Sequence, residues 1–284
     1  MKIAIASGKG GTGKTTVATN LAYLLSHSGN RVVYADCDVE EPNGHLFLKP
    51  DWTQTINVYV KNPRIDHNKC DFCGRCAEVC QFNALAVLAD RVLVFPSLCH
   101  GCGGCFHICP QRAIEEIDRL VGIVKVGNGR GVITYEGRLN IGEALAPPII
   151  GFLRKTIEPF DLAVIDAPPG TSCPVIEAVK NTDYVMLVTE PTPFGLNDLI
   201  LAVNMIRKLN LPFGVIVNRM GVGDDRVHEY CQQENVEIIM EIPDDRRIAE
   251  QYSEGKLIID ALPDYAEHFK KLCRRLIPHK TAGV

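Results

Sequence analysis

The sequence lacks any apolar run near the roughly 20 residues that a helix needs to cross a bilayer, which argues against a membrane-spanning helix. It also lacks an excess of charge of one sign. Its 30 basic and 34 acidic residues leave a net charge of -4, which gives no general attraction for nucleic acid. The opening MKIAIASGKGG becomes glycine-rich too early for a secretion signal. We therefore expect a cytoplasmic protein with no specific nucleic-acid partner.

Without a secretion signal, the 12 cysteines do not indicate a disulfide framework. Eight of them fall in two tight, regularly spaced groups, which is typical of metal binding. The other four, Cys37, Cys173, Cys231 and Cys273, are scattered, and we expect them to be small buried side chains.

The rest of the chain alternates between short apolar runs and amphipathic stretches. This rhythm predicts an α/β fold with a doubly wound, mostly parallel sheet. The expected strands are 2–7, 31–36, 161–166, 183–189, 213–218 and 236–241, and the expected helices are 15–28, 174–181, 196–209, 224–234 and 245–254.

The alternation of predicted strands and helices stops between about Asn62 and Asp118. A shift of 29 residues there superimposes four cysteines on four others, and Gly74 on Gly103, which indicates a tandem duplication. We expect residues 62–118 to form a small inserted α+β domain, with 1–61 and 119–284 forming the main domain. A hairpin over 119–139, turning at GNGRG, would return the chain to the sheet.

A phosphate-binding loop is predicted between the first strand and the first helix. GKGGTGKT satisfies GxxxxGK[ST], a pattern whose backbone N–H groups cradle phosphates while its lysine reaches the β- and γ-oxygens and its hydroxyl holds Mg²⁺. A plain glycine turn is the alternative. The expected ATP-binding residues are Gly8, Lys9, Gly10, Gly11, Thr12, Gly13, Lys14, Thr15 and Thr16, and Thr15 is also an expected Mg²⁺ ligand.

The string KGGTGKT, with its second lysine at Lys9, resembles the ParA/MinD family of P-loop ATPases, which includes Mrp-type carriers and the nitrogenase iron protein. The resemblance implies that ATP lies between two subunits, as a homodimer or a heterodimer with a related ATPase, with Lys9 completing the partner's site. A solvated loop lysine is the alternative.

The same resemblance assigns three carboxylates. In the strand ending Asp36-Cys37-Asp38, Asp36 is expected near Mg²⁺ and Asp38 is expected to orient the attacking water. Asp166, at the end of DLAVID, occupies the Walker B position, where its carboxylate is expected to hold Mg²⁺ through water, and the following PPGT resembles the second switch. The expected catalytic set is thus Lys9, Lys14 and Asp38. Asn218 and Pro243 correspond to residues that contact adenine in the family, although Asn also ends strands for local reasons.

The two cysteine runs follow the bacterial ferredoxin spacing, in which the fourth cysteine of each run binds the other cluster. Gln81 stands where proline usually follows the first run. Zinc is the disfavoured alternative, because zinc knuckles are usually spaced further apart. The expected [4Fe-4S] ligands are Cys70, Cys73, Cys76 and Cys109 for cluster 1, and Cys99, Cys102, Cys105 and Cys80 for cluster 2.

Residues 264–277 form an amphipathic pattern with Phe269 and Leu272 on its apolar face. We expect this helix to dock on the sheet. The alternative is contact with an anionic membrane surface, as in MinD.

Across the whole chain, the sequence resembles MinD-superfamily ATPases with an inserted ferredoxin domain. The leading hypothesis is an Mg²⁺-dependent ATPase that couples its nucleotide cycle to electron transfer with a redox partner through two clusters. The alternatives are a MinD- or ParA-like spatial organiser and an iron-sulfur cluster carrier. The carrier is disfavoured because no CxxC lies outside the inserted segment.

Overall fold

The computed structural model describes residues 1–276. The strands are β1 Lys2–Ala6, β2 Val32–Asp36, β3 Asp51–Ile65, β4 Leu85–Val87, β5 Val92–Val94, β6 Ile114–Gly129, β7 Val132–Leu139, β8 Leu162–Asp166, β9 Tyr184–Thr189, β10 Phe213–Met220 and β11 Ile238–Pro243. The helices are α1 Lys14–His27, α2 His45–Leu48, α3 Arg75–Glu78, α4 Gly104–Ile108, α5 Ala146–Ile157, α6 Cys173–Val179, α7 Pro193–Lys208, α8 Arg226–Gln233, α9 Arg246–Ser253, α10 Ile258–Ala261 and α11 Pro263–Leu276, with a short 3₁₀ turn at Pro96–Leu98.

Nine strands form one sheet in the order β11-β10-β9-β1-β8-β2-β7-β6-β3. The strands from β11 to β7 run parallel, and β6 is antiparallel to both of its neighbours. Because side chains alternate along each strand, Ile3 and Ile5 face α1 and α11, whereas Ala4 and Ala6 face the core under α5 and α7. Helices on both faces confirm the predicted doubly wound, mostly parallel architecture.

The strand β3 was not predicted, although its residues Ile56, Val58 and Val60 alternate with more polar ones. It pairs with β6 along its full length, from Asp51 opposite Asn128 to Ile65 opposite Ile114. The two strands form a ribbon that carries the cysteine-rich segment at its far end. The expected domain boundaries, 61/62 and 118/119, fall opposite each other on this ribbon, where Lys61 pairs with Asp118.

Helix α5 was also not predicted. Its first turn contains Pro147 and Pro148, which read as helix breakers, but proline is tolerated there because the first N–H groups have no partner within the helix. The helix buries Ile149, Ile150 and Leu153 beneath β6 and β7.

The final helix α11 buries Phe269, Leu272 and Cys273 against α1 and β11. The expectation that this helix docks on the sheet is thus confirmed for residues 263–276, which pack on the edge strand β11 and on α1. Residue 277 of the predicted stretch lies outside the described residues. No helix within residues 1–276 is long and apolar enough to span a membrane.

Three of the four scattered cysteines, Cys37, Cys231 and Cys273, are buried as expected. Cys173 is exposed, so its prediction was wrong. It is the first residue of α6, directly after the loop that follows β8, where the chain lies at the surface.

Candidate functional site

The predicted phosphate loop connects β1 to α1 and closes tightly against two neighbouring elements. A side chain at Gly8 would bring its Cβ to 2.2 Å from the carbonyl oxygen of Asp198 in α7. Gly13 has φ 94°, a left-handed conformation that side chains disfavour, and a Cβ there would lie 2.5 Å from Asn218 Nδ2. Only glycine fits at these two positions, so the sequence fixes a narrow loop at the start of α1.

Asp36 and Asp166 lie side by side at the carboxyl ends of β2 and β8, where the strand register pairs them directly. The Tyr34 hydroxyl donates to Asp166 Oδ2 at 2.9 Å. Burial raises the pKa of Asp166, and the charge of Lys14 opposes that rise. Burial, with the charge of Asp166 second, raises the pKa of Asp36 well above its usual range.

The backbone after β2 turns around Asp36. The N–H groups of Asn43 and Gly44 donate to Asp36 Oδ2 at 3.2 and 2.9 Å, and that of Asp38 donates to Oδ1 at 3.2 Å. This turn presents Asp38 to the nucleotide cleft. Burial, followed by the charge of Asp166, raises the pKa of Asp38 to about 6.

Lys14 is 7% exposed and is surrounded by these acids. Burial lowers the pKa of its ammonium, while Asp166, Asp38 and Asp36 each raise it. Three carboxyl groups near one lysine leave an excess of negative charge, and Mg²⁺ is commonly held by only one or two carboxylates together with substrate phosphates. Asp166 Oδ1 is buried and has no hydrogen-bond partner among residues 1–276, so an acceptor is left over at the position expected for the Mg²⁺ shell. The donor set therefore fits Mg²⁺.

A cleft of about 570 Å³ opens above these residues, within the range of small-ligand sites. The predicted residues that line it are Gly10, Gly11, Gly13, Lys14, Thr15, Thr16, Asp38, Asn218 and Pro243. The predicted residues Gly8, Lys9, Thr12, Asp36 and Asp166 do not line it. Asp36 and Asp166 lie buried at the strand ends, and Lys9 points to Glu190.

Asn218 lies at the cleft but is already engaged with the loop, because its Nδ2 donates to the Thr12 carbonyl at 2.8 Å. The Thr12 hydroxyl is buried without a partner in the described chain.

The eight clustered cysteines surround two cavities at the end of the β3–β6 ribbon. Cys70, Cys73, Cys76 and Cys109 line one, and Cys80, Cys99, Cys102 and Cys105 line the other. These are the two crossed sets expected from the ferredoxin spacing. Two backbone N–H groups, those of Ala84 and Ala113, donate to the sulfurs of Cys80 and Cys109, each at 3.3 Å.

These two bonds repeat at the 29-residue shift of the duplication, and hydrogen bonds to the sulfurs are one of the factors that set the reduction potential of an iron-sulfur cluster. Among residues 1–276, no three His, Cys, Asp or Glu side chains are grouped closely enough to share one metal ion. Four thiols around each cavity fit a cluster, whose four irons each take one thiolate.

The pattern of the CobQ/CobB/MinD/ParA nucleotide-binding domain matches residues 3–258. The chain belongs to this family. Members of the MinD/ParA family are ATPases with a nucleotide-binding P-loop, so the predicted family and P-loop are confirmed.

Several relatives cover nearly the whole chain. The uncharacterised protein MJ0578 of Methanocaldococcus jannaschii is 32% identical over 278 residues, which are 97% of this chain and 96% of that protein. The iron-sulfur cluster carrier protein of Pyrococcus horikoshii is 25% identical over 300 residues, covering 97% of this chain and 85% of the carrier.

Among solved structures, the septum site-determining protein MinD with Mg-ADP from Pyrococcus horikoshii aligns with a TM-score of 0.63 and 22% identity, over 100% of this chain and 99% of that one. This likeness confirms the α/β P-loop fold with its mostly parallel sheet.

Several residues at the site were not predicted. Glu136 on β7 lies in register with Asp36. Its Oε2 is 2.7 Å from Nδ1 of His45, the residue that directly follows the turn around Asp36. Tyr252 of α9 lines the cleft and packs against Phe47 of α2. Tyr34 could have been found, because it lies two residues before Asp36 and so on the same strand face. The others depend on contacts between distant segments, which no local motif encodes.

Proposed function

We propose that this protein binds and hydrolyses Mg-ATP, associates with a second subunit when ATP is bound, and couples that cycle to electron transfer through two [4Fe-4S] clusters in its cysteine-rich segment. The single observation that carries the coupling is the β3–β6 ribbon, because its two strands stay paired, with two register shifts, from the nucleotide-binding sheet to the cysteine cavities.

Two successive strand pairings connect the nucleotide site to the ribbon. Asp36 pairs with Glu136 on β7, and Glu136 pairs with Lys125 on β6. From Lys125 the strand β6 runs to Ile114, which lines the cavity of cluster 1, a length of about 36 Å at ~3.3 Å per residue. A movement of the turn around Asp36 is therefore linked to the ribbon by backbone hydrogen bonds.

In this proposal each residue has a defined task. Lys14 neutralises the phosphates, Thr15 with Asp36 and Asp166 holds Mg²⁺, and Asp38 orients the attacking water. Lys9 completes the nucleotide site of the second subunit, and Asn218 with Pro243 contacts adenine. The cysteine thiolates hold clusters that would supply one-electron transfer when bound.

The proposal is tested by the rate of electron transfer from the reduced, oxygen-free protein to a low-potential acceptor dye. We expect the rate to differ among ATP, ADP and no nucleotide, and the difference to vanish in Lys14→Ala. The exposed Lys49→Ala is the matched control and should behave as the original chain. Equal rates in all three states would remove the coupling.

Relatives named iron-sulfur cluster carrier proteins favour a second candidate, delivery of clusters to other proteins. The protein would be loaded with iron-57 clusters and incubated with an apo-ferredoxin acceptor. Loss of the label to the acceptor on ATP addition would favour the carrier, and its retention would eliminate it.

The third hypothesis, a spatial organiser, predicts a localised pattern in cells that Lys14→Ala abolishes.

A further inference from the structure

Lys9 has a partner on its own chain. Its Nζ lies 3.0 Å from Oε2 of Glu190, which is 7% exposed. Strand register brings the two segments close: β1 and β9 are parallel with Ala6 opposite Leu187, and Lys9 and Glu190 each follow three residues later, beyond the ends of the two strands. The sheet therefore places the two loops side by side, while the Lys9 side chain itself remains 33% exposed.

Glu190 also binds a second cation. Its Oε1 lies 3.0 Å from Arg219 Nη1, so each carboxylate oxygen faces one cation. Arg219 follows Asn218 and lines the nucleotide cleft. Glu190 thus joins the phosphate loop to the segment on the base side of the cleft.

The backbone around Glu190 is held tightly. Its carbonyl oxygen accepts a hydrogen bond from Thr192 N at 2.8 Å, and a Cβ at Gly195 would approach that oxygen to 2.2 Å. The Thr192 side chain in turn caps α7 by accepting from Gly195 N. Because the backbone around Glu190 cannot move with the Lys9 side chain, the Lys9–Glu190 ion pair must break if Lys9 moves away.

We propose that Glu190 is a positioning residue for Lys9, which keeps the ammonium on its own chain until ATP and a second subunit draw it away. This inference rests on the proposed function, in which Lys9 acts in the second subunit. Departure of Lys9 leaves Glu190 paired with Arg219, so the carboxylate keeps one cation. Glu190 therefore opposes association without being left unpaired afterwards.

The test uses Glu190→Gln, which keeps the shape and removes the charge. In the nucleotide-free protein, the reaction of Lys9 with an amine-reactive ester, followed by mass spectrometry, should be several-fold faster than in the original chain. Lys49 and Lys155 serve as internal references and should not change. With ATP, the protein concentration for half-association, measured by sedimentation velocity, should fall about tenfold, equivalent to ~1.4 kcal/mol.

Glu234→Gln is the matched control, because Glu234 pairs with Arg207 at the surface, and neither readout should respond. Glu190→Asp keeps the charge on a shorter side chain and should give intermediate labelling, which also covers the case in which Glu190→Gln fails to fold. Unchanged Lys9 labelling in both Glu190 variants, or weaker association in Glu190→Gln, would overturn the positioning role. An original chain that stays monomeric with ATP while Glu190→Gln still exposes Lys9 would instead contradict the proposed association and leave the positioning role supported.

Discussion

Asp36, Asp38 and Asp166 gather three carboxyl groups around Lys14, and their charges oppose one another in the absence of a cation. Burial and the neighbouring Asp166 raise the pKa of Asp38 to about 6. The folded protein keeps this proton at a pH where an unfolded aspartate, with a pKa of about 4, has released it. The folded state therefore binds more protons between about pH 4 and 6, and its stability falls as the pH rises through that window.

Asp38→Asn removes this loss of folding stability, because the amide cannot ionise as the pH rises. In nucleotide-free protein with EDTA, we expect the variant to melt about 2–4 °C higher at pH 7, equivalent to about 1 kcal/mol after discounting for the solvent contact of Asp38. The gain should shrink as the pH falls from about 6 to 4. The exposed Asp51→Asn is the control and should show no such pH dependence. A variant that melts lower than the original chain at pH 7 would contradict the assigned environment.

The same substitution separates binding from chemistry. If Asp38 orients the attacking water, Asp38→Asn should bind ATP with an affinity within about threefold of the original chain, measured by isothermal titration calorimetry. Its rate of phosphate release should fall by at least about 100-fold, the usual contribution of a positioned acid or base. A variant that hydrolyses ATP normally would exclude Asp38 from the reaction.

At the scale of elements, the β3–β6 ribbon is fastened to the body where it leaves the sheet. Arg119 of β6 donates to the Asn62 side chain at 3.1 Å and pairs with Glu143, whose side chain is 6% exposed. The other oxygen of Glu143 accepts from the N–H groups of Ala144 and Leu145 at the start of α5. This junction joins both strands of the ribbon to a core helix.

Arg119→Ala leaves Glu143 buried without its cation, and we expect it to lower the free energy of unfolding by about 2 kcal/mol, measured by urea denaturation. Arg64→Ala is the matched control on the same ribbon, because Arg64 and Glu115 are both more than half exposed, and it should cost less than about 0.5 kcal/mol. Equal losses would show that the junction adds nothing beyond a surface ion pair.

Sequence periodicity predicted the parallel strands because each is a short apolar run, but it missed β3 and α5. In β3, Asn62 stands where the alternation calls for an apolar residue, and the pairing partner of the strand lies about 60 residues away along the chain. The phosphate loop was predictable because its chemistry is local. Glu190 and Glu136 were not, because strand register between distant segments brings them to the site.

At the scale of the whole molecule, the arrangement of cysteines predicts how the two proposed clusters would share their ligands. Cys80 lines a cavity with Cys99, Cys102 and Cys105, and Cys109 lines the other. We expect Cys80→Ala to alter the same electron paramagnetic resonance signal as Cys99→Ala, and Cys109→Ala the same signal as Cys70→Ala. A Cys80→Ala spectrum that matches Cys70→Ala would instead mean that each run binds its own cluster.

The central claim is that the nucleotide site and the clusters communicate through one polypeptide. It is tested most directly by an anaerobic redox titration followed by electron paramagnetic resonance, with and without Mg-ATP. We expect ATP to move the midpoint potential of at least one cluster by about 60 mV, a tenfold change in its one-electron equilibrium, and Lys14→Ala to abolish the shift. Superimposable curves, or reconstituted protein holding far fewer than about eight irons per chain, would contradict it.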